Sequence, residues 1–140
     1  MWVVYALLAA LAGATLATLT KIGLRSVDHN VALAVQSLVI PVVSWGALAV
    51  RGRLGEVGGV DRKVWGFLLL AGVVTSASYL LLYRALEQGD VSRVVPLDRL
   101  SLVFAILLGA IFLKEQVTVQ VIAGGTLMAA GALLIATAKT

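Results

Sequence analysis

The sequence predicts an all-α membrane protein with five transmembrane helices, and three observations carry that expectation. Of the 140 residues, 61% are hydrophobic and only 13% are charged, against about 25% charged and 45–50% apolar in a soluble domain. The apolar residues gather into five runs, each close to the ~20 residues that cross a bilayer. The polar residues between the runs are too few to build a soluble domain. The chain therefore reads as one membrane domain over residues 1–140, with helices at about 2–23, 30–50, 64–86, 95–113 and 119–138. The first run is too long, and too closely followed by further spans, for a cleaved signal peptide, and it lacks a basic leading segment.

Composition also narrows the chemistry. With no cysteine, disulfides, thiolate catalysis and cysteine metal sites are excluded. The net charge of +4 lies in loops and forms no contiguous basic patch of the kind nucleic acids require. The single histidine, His29, falls in a loop where solvation is the ordinary outcome, and no carboxylate pair lies deep in a span. An enzyme, a bound metal and a cofactor are not expected. Nothing resembles a phosphate-binding Walker A loop, so the chain is not expected to hydrolyse ATP.

The first helix sorts by size. Ala6, Ala9, Ala10, Gly13, Ala17, Thr20 and Lys21 share one face at 100° per residue, opposite Val4, Leu8, Leu11, Leu19 and Ile22. A small-residue ridge lets another helix approach closely. Lys21 continues that ridge and either points inward or snorkels to the interface. Asp28 or Asn30 can then cap the second helix. That helix carries Pro41 in its interior, which frees the carbonyl of Ser37. Ser37, Pro41, Ser44 and Trp45 share a face with Gln36 beside them, so Gln36 and Ser37 are candidate polar contacts in a cavity, the alternative being a tolerated kink.

In the third helix Trp65, Leu68, Gly72, Thr75, Ser76, Tyr79 and Tyr83 fall within a narrow arc. Hydroxyls and aromatic rings on one side of an otherwise aliphatic helix mark an interior surface, and buried tyrosine hydroxyls need partners. Ser76 and Tyr79 are candidate cavity residues, and Tyr83 belongs to its rim or to interhelical packing. Arg84 and Glu87 are spaced to pair at the helix exit.

The fourth helix is expected to begin at Val95, with Pro96 in its first turn, where a missing N–H costs nothing. Asp98, Ser101, Ala105, Gly109 and Phe112 form one face. Asp98 and Arg99 then lie near an interface, where the positive helix end favours a carboxylate and the arginine can snorkel. Asp98 and Ser101 are candidate cavity contacts, and Arg99, with Lys21, belongs to the gate or rim. Lys114 and Glu115 close the helix, and Thr118 caps the fifth. There Gly124, Met128 and Gly131 share a face suited to dimer packing, and Gly125 with Ala129 forms a small-xxx-small pair.

Five spans place the termini on opposite sides. Arg51, Arg53, Arg62, Lys63 and Lys114 lie on one side, and Lys21, Arg25, Arg84, Arg93, Arg99 and Lys139 on the other. Basic residues normally fix orientation, and five against six fixes little. A chain inserted both ways can pair with its inverted copy and so reproduce the inverted repeat of many secondary transporters. The alternative is a parallel dimer oriented by the Arg51–Lys63 loop.

The run YRALEQGDVSRVVPLDRLSLVFAILLGAIFLKEQVT, followed by IAGGTLMAAGALLI, resembles an EamA-like domain of the drug/metabolite transporter superfamily. ATLTKIGLRSVDHNVALAVQS resembles the first hairpin of its short, five-helix bacterial and archaeal branch. The similarity spans essentially the whole chain. Gln36 stands where many short relatives are expected to carry a basic residue, so no anion-pairing role passes to the second helix. The resemblance implies a small-molecule permease or exporter in the inner (plasma) membrane, acting as a homodimer by alternating access. Each chain would supply one half of the inverted-repeat bundle. The membrane-embedded glutamate of the related small multidrug resistance proteins has no counterpart in the first helix. An accessory subunit that pairs with another short membrane protein is the alternative expectation.

Overall fold

The computed structural model describes residues 1–138. Its order is α1 (Trp2–Gly23), α2 (His29–Val50), α3 (Arg62–Gln88), α4 (Val91–Asp98), α5 (Ser101–Phe112) and α6 (Val119–Thr137), with no strand among the described residues. Five stretches are long and apolar enough to cross a membrane, α4 and α5 together making the fourth, Val91–Phe112. The expected all-α, five-span class is the observed one. Lys139 lies outside the described residues.

The chain divides into two compact units, Met1–Lys21 with Gln88–Thr140, and Ile22–Glu87. In the second unit, Asp28 starts α2 from an extended conformation and its carboxylate accepts from the Asn30 amide at 2.8 Å. This satisfies one of the amide groups that a helix start leaves without an internal partner. Pro41 lies inside α2, which continues through it to Val50. The linker to α3 forms a short 3-10 helix, Leu54–Gly59, where Arg53 and Glu56 meet through two bonds of 2.8 and 2.7 Å. Glu56 raises the Arg53 guanidinium above its ordinary pKa. Both side chains are exposed, where such pairs stabilise little.

In the first unit, α6 packs along both α4 and α5. Gly125 and Ala132 of α6 are buried, and a Cβ at Gly125 would lie 3.1 Å from Ile106 Cδ1 of α5. The small-xxx-small pair of Gly125 and Ala129 is thus used inside the chain. Gly124 and Met128 stay exposed and Gly131 is half-buried. Thr118 caps α6, its hydroxyl accepting from the Val121 amide at 3.4 Å. The ridge of α1 is covered only over its later half: Ala17 and Thr20 are buried, whereas Ala6, Ala9 and Ala10 are exposed.

The fourth span departs from expectation. Helix starts at Val91, four residues early, because the Arg93 and Val94 amides already bond to the Asp90 carbonyl at 3.0 and 2.9 Å. Pro96 is therefore the sixth residue of α4 rather than part of its first turn, and Asp98 is the last. The backbone tightens over Leu97–Leu100, where Leu100, Leu102 and Val103 bond to carbonyls three residues back. The span ends on Gly109, whose carbonyl accepts from both the Leu113 and Glu115 amides, with Lys114 in the left-handed region at φ 54°.

Gly125→Leu will overpack the α5–α6 contact and destabilise the fold by about 1–3 kcal/mol. Thermal unfolding in detergent will show the loss. Gly124→Leu, which meets open space, will leave the unfolding midpoint nearly unchanged. Equal effects at the two glycines would contradict this packing.

Candidate functional site

Each unit carries its own polar cluster. In the Ile22–Glu87 unit the Tyr83 hydroxyl donates to Gln36 Oε1, linking α3 to α2. Tyr83 is buried, at 3% exposure, and Leu86 beside it is buried at 1%. Tyr79 meets Tyr83 edge to face, with ring centroids 6.0 Å apart and an interplanar angle of 82°. The expected rim residue Tyr83 thus forms the hydrogen-bonded centre of this unit. Gln36, expected as a cavity contact, is its partner.

Of the other polar candidates in this unit, Ser37 donates to the Ala34 carbonyl at 2.8 Å and Ser76 to the Gly72 carbonyl at 2.9 Å. Both hydroxyls remain exposed, so the donors serve their own helices and the oxygen lone pairs stay open to a further partner. Ser76 lies 14 residues after Arg62 and 12 before Gln88, at the centre of α3.

His29 is not a solvated loop residue. It opens α2, and its Nδ1 lies 2.8 Å from Glu87 Oε2 and 3.3 Å from Asp28 Oδ2. Glu87 thereby closes the α2–α3 hairpin, and among the described residues no ion pair joins it to Arg84 as the i,i+3 spacing suggested. Nothing in the sequence pointed to His29–Glu87, because 58 residues separate the two. Ligand atoms of Asp28, His29 and Glu87 lie within 4.8 Å of one another, a spacing that can accommodate a metal ion. They are engaged in the cap and the His29–Glu87 hydrogen bond. The Asn30 backbone amide, and after it the Asn30 side chain, holds the Asp28 carboxyl below its ordinary value of 3.8.

In the other unit, Lys21 Nζ donates to the Gly89 carbonyl at 2.9 Å and is half-buried. The expected gate residue is therefore a tie between the end of α1 and the start of the fourth span. Farther along, a Cβ at Gly13 would lie 3.5 Å from a terminal nitrogen of Arg99. Gly13 is the twelfth of the 22 residues of α1. Eight residues separate it from Lys21, about 12 Å at 1.5 Å per residue, in an apolar core about 30 Å thick. The guanidinium therefore lies near the middle of the membrane. The helix starts four residues earlier than expected, so the charged pair is carried farther into the span. Asp98 ends α4, and Arg99 is its C-cap, so neither lies in that helix's first turn, where a carboxylate would be favoured. Asp98, Arg99 and Ser101 are all exposed, and among the described residues no ion pair engages either charge.

The geometry defines a multi-pass membrane protein with two opposite charges set into the fourth span. The model of the EamA-like transporter family matches residues 1–137, and the chain belongs to that family. It is 36% identical over 135 residues, 96% of each chain, to a Sinorhizobium protein named as an uncharacterized transporter in the cobO 3′ region. It is also 33% identical over 75 residues, 54% of this chain and 55% of the other, to an uncharacterized protein of Methanocaldococcus jannaschii. No solved structure matches.

Tyr83→Phe will leave the Gln36 oxygen without the tyrosine hydroxyl and cost about 1 kcal/mol, read as a lower unfolding midpoint; an unchanged midpoint would contradict the link. Because the folded-state pKa of Asp28 is depressed, its stabilisation of α2 is present above pH ~3.9 and lost as pH falls through the folded value. In Asp28→Asn, the amide keeps the cap, and the part of the acid-induced loss of stability that comes from this position will disappear. An acid-unfolding curve identical to wild type would contradict that role.

Proposed function

We propose that the chain is a secondary transporter of a small metabolite or drug-like solute in the inner (plasma) membrane. It works by alternating access as a homodimer whose two copies are antiparallel.

 The observation that carries the reading is the pair of opposite charges, Asp98 and Arg99, exposed at a tightened step inside an apolar span of a chain from a transporter family. Ionisable residues inside a membrane are costly, and they mark substrate or ion pathways.

The balance of basic residues supports the antiparallel pairing. With Arg99 inside the fourth span, Lys21, Arg25, Arg84, Arg93 and Lys139 face Arg51, Arg53, Arg62, Lys63 and Lys114, so neither orientation is favoured. Exposed Gly124 and Met128, with Gly131 beside them, supply the helix face for the second copy, since the neighbouring Gly125 is already covered by Ile106. In the transport cycle Asp98 and Ser101 contact the solute, and within the Ile22–Glu87 unit Ser37, Ser76 and Tyr79 are candidate solute contacts of their own. Gln36 contributes by holding Tyr83 in place.

Reconstituted vesicles will accumulate or release a labelled solute from a metabolite library without ATP. Reporter fusions after Thr140 will be active on both sides of the membrane. Gly124→Leu will lower the dimer fraction in cross-linking while leaving the unfolding midpoint nearly intact. A monomer that moves no solute, or a reporter active on one side only, would contradict the transporter and the antiparallel pairing respectively.

A further inference from the structure

Three features of the molecule invite more than the bare transport reading: the Asp28–His29–Glu87 cluster, the exposed face of α6, and the guanidinium of Arg99. The first is accounted for by the cap and the hairpin contact, and the second by the proposed dimer. Arg99 carries an inference of its own.

Four observations bear on it. Lys21, the other cation on the α1 side of this unit, is held at the Gly89 carbonyl, which fixes the depth at which α1 meets the fourth span. Eight residues deeper, a terminal nitrogen of Arg99 rests 3.5 Å from where a Cβ of Gly13 would be. That distance is ordinary van der Waals contact, so a small side chain at position 13 would sit against the guanidinium. Arg99 is exposed, and no carboxylate forms an ion pair with it among the described residues, although Asp98 is its neighbour in sequence. All seven acidic residues of the chain are among those described. A guanidinium at mid-membrane without a counter-charge is expensive, and it is kept where it faces a partner or a water-filled cavity. Its planar fork of N–H donors matches the two oxygens of a carboxylate or phosphate.

We propose that Arg99 is an oxyanion-recognition residue, whose guanidinium, beside Gly13 of α1, binds the carboxylate or phosphate group of the solute. This rests on the transporter reading and adds the chemical class of the substrate. Phosphate is also the chemistry of a lipid headgroup, so the test separates the two sources.

The absence of native cysteine makes a single reporter possible. Gly13→Cys in the full chain, reconstituted in phosphatidylcholine vesicles, is titrated with a water-soluble methanethiosulfonate reagent. Inorganic phosphate and succinate are each compared with chloride at equal ionic strength. The cysteine will react from water, and an anion at about four times its Kd will slow the reaction about fivefold, the occupancy expected for one site. Adding Arg99→Gln will abolish the protection, and Arg99→Lys, which keeps the charge but loses the fork, will weaken it. Rates insensitive to both anions, or protection that survives Arg99→Gln, would overturn the proposal. So would labelling by a lipophilic maleimide alone, which would place the position against lipid. Protection on adding phosphatidylglycerol, with none from soluble anions, would replace the solute with a lipid headgroup and also overturn it. If Gly13→Cys does not fold, the unfolding midpoint of the wild-type chain provides the measurement. It will rise with phosphate or succinate, and rise less in Arg99→Lys; no rise in the wild type overturns the proposal. Anion protection in a protein that moves no solute would leave the site standing and remove the transporter reading.

Discussion

A positive charge at mid-membrane constrains the rest of this structure. The fourth span, Val91–Phe112, has to carry Arg99 into the apolar core without an ion pair among the described residues. Two local features accompany it. The backbone tightens to bonds three residues back at Leu97–Leu100. The guanidinium rests beside Gly13 of α1, 3.5 Å from where a Cβ would lie. Packing of α6 along α4 and α5, through Gly125, then fixes the span from its other neighbour.

The hairpin unit solves a different problem. Its two helices hold together through polar contacts toward one end: Tyr83 to Gln36, and His29 to Glu87. Farther along, the exposed stripe of Thr75, Ser76 and Trp65 has its hydroxyls bonded to its own helix. Side-chain donors spent in this way lower the cost of lipid exposure. Few side chains are buried among the described residues, so the chain's apolar faces are left to the bilayer.

Much of the fold was legible because the bilayer imposes a length. Five apolar runs of about the right size gave four spans to within two residues at each end, and Asp28 and Thr118 were readable as caps from residue type and position. The start of the fourth span was not legible. Gly89-Asp90-Val91-Ser92-Arg93 has the composition of a loop, and a proline near the start of an apolar run reads as a first-turn residue. The helix instead begins on the Asp90 carbonyl. A shift of four residues moves a charge about 6 Å along the axis, enough to turn a rim arginine into a mid-membrane one. His29–Glu87 and Arg99–Gly13 join positions far apart in sequence, and no local pattern encodes such pairs. The small face of α1 indicated that something approaches Gly13, without indicating what.

The central claim is that Arg99 handles the solute inside the membrane. Its most direct test is counterflow of whichever soluble anion protects position 13, measured in vesicles carrying wild type or Arg99→Gln at matched dimer content. The account predicts counterflow in wild type and its loss in Arg99→Gln. Equal counterflow in the two proteins would contradict it.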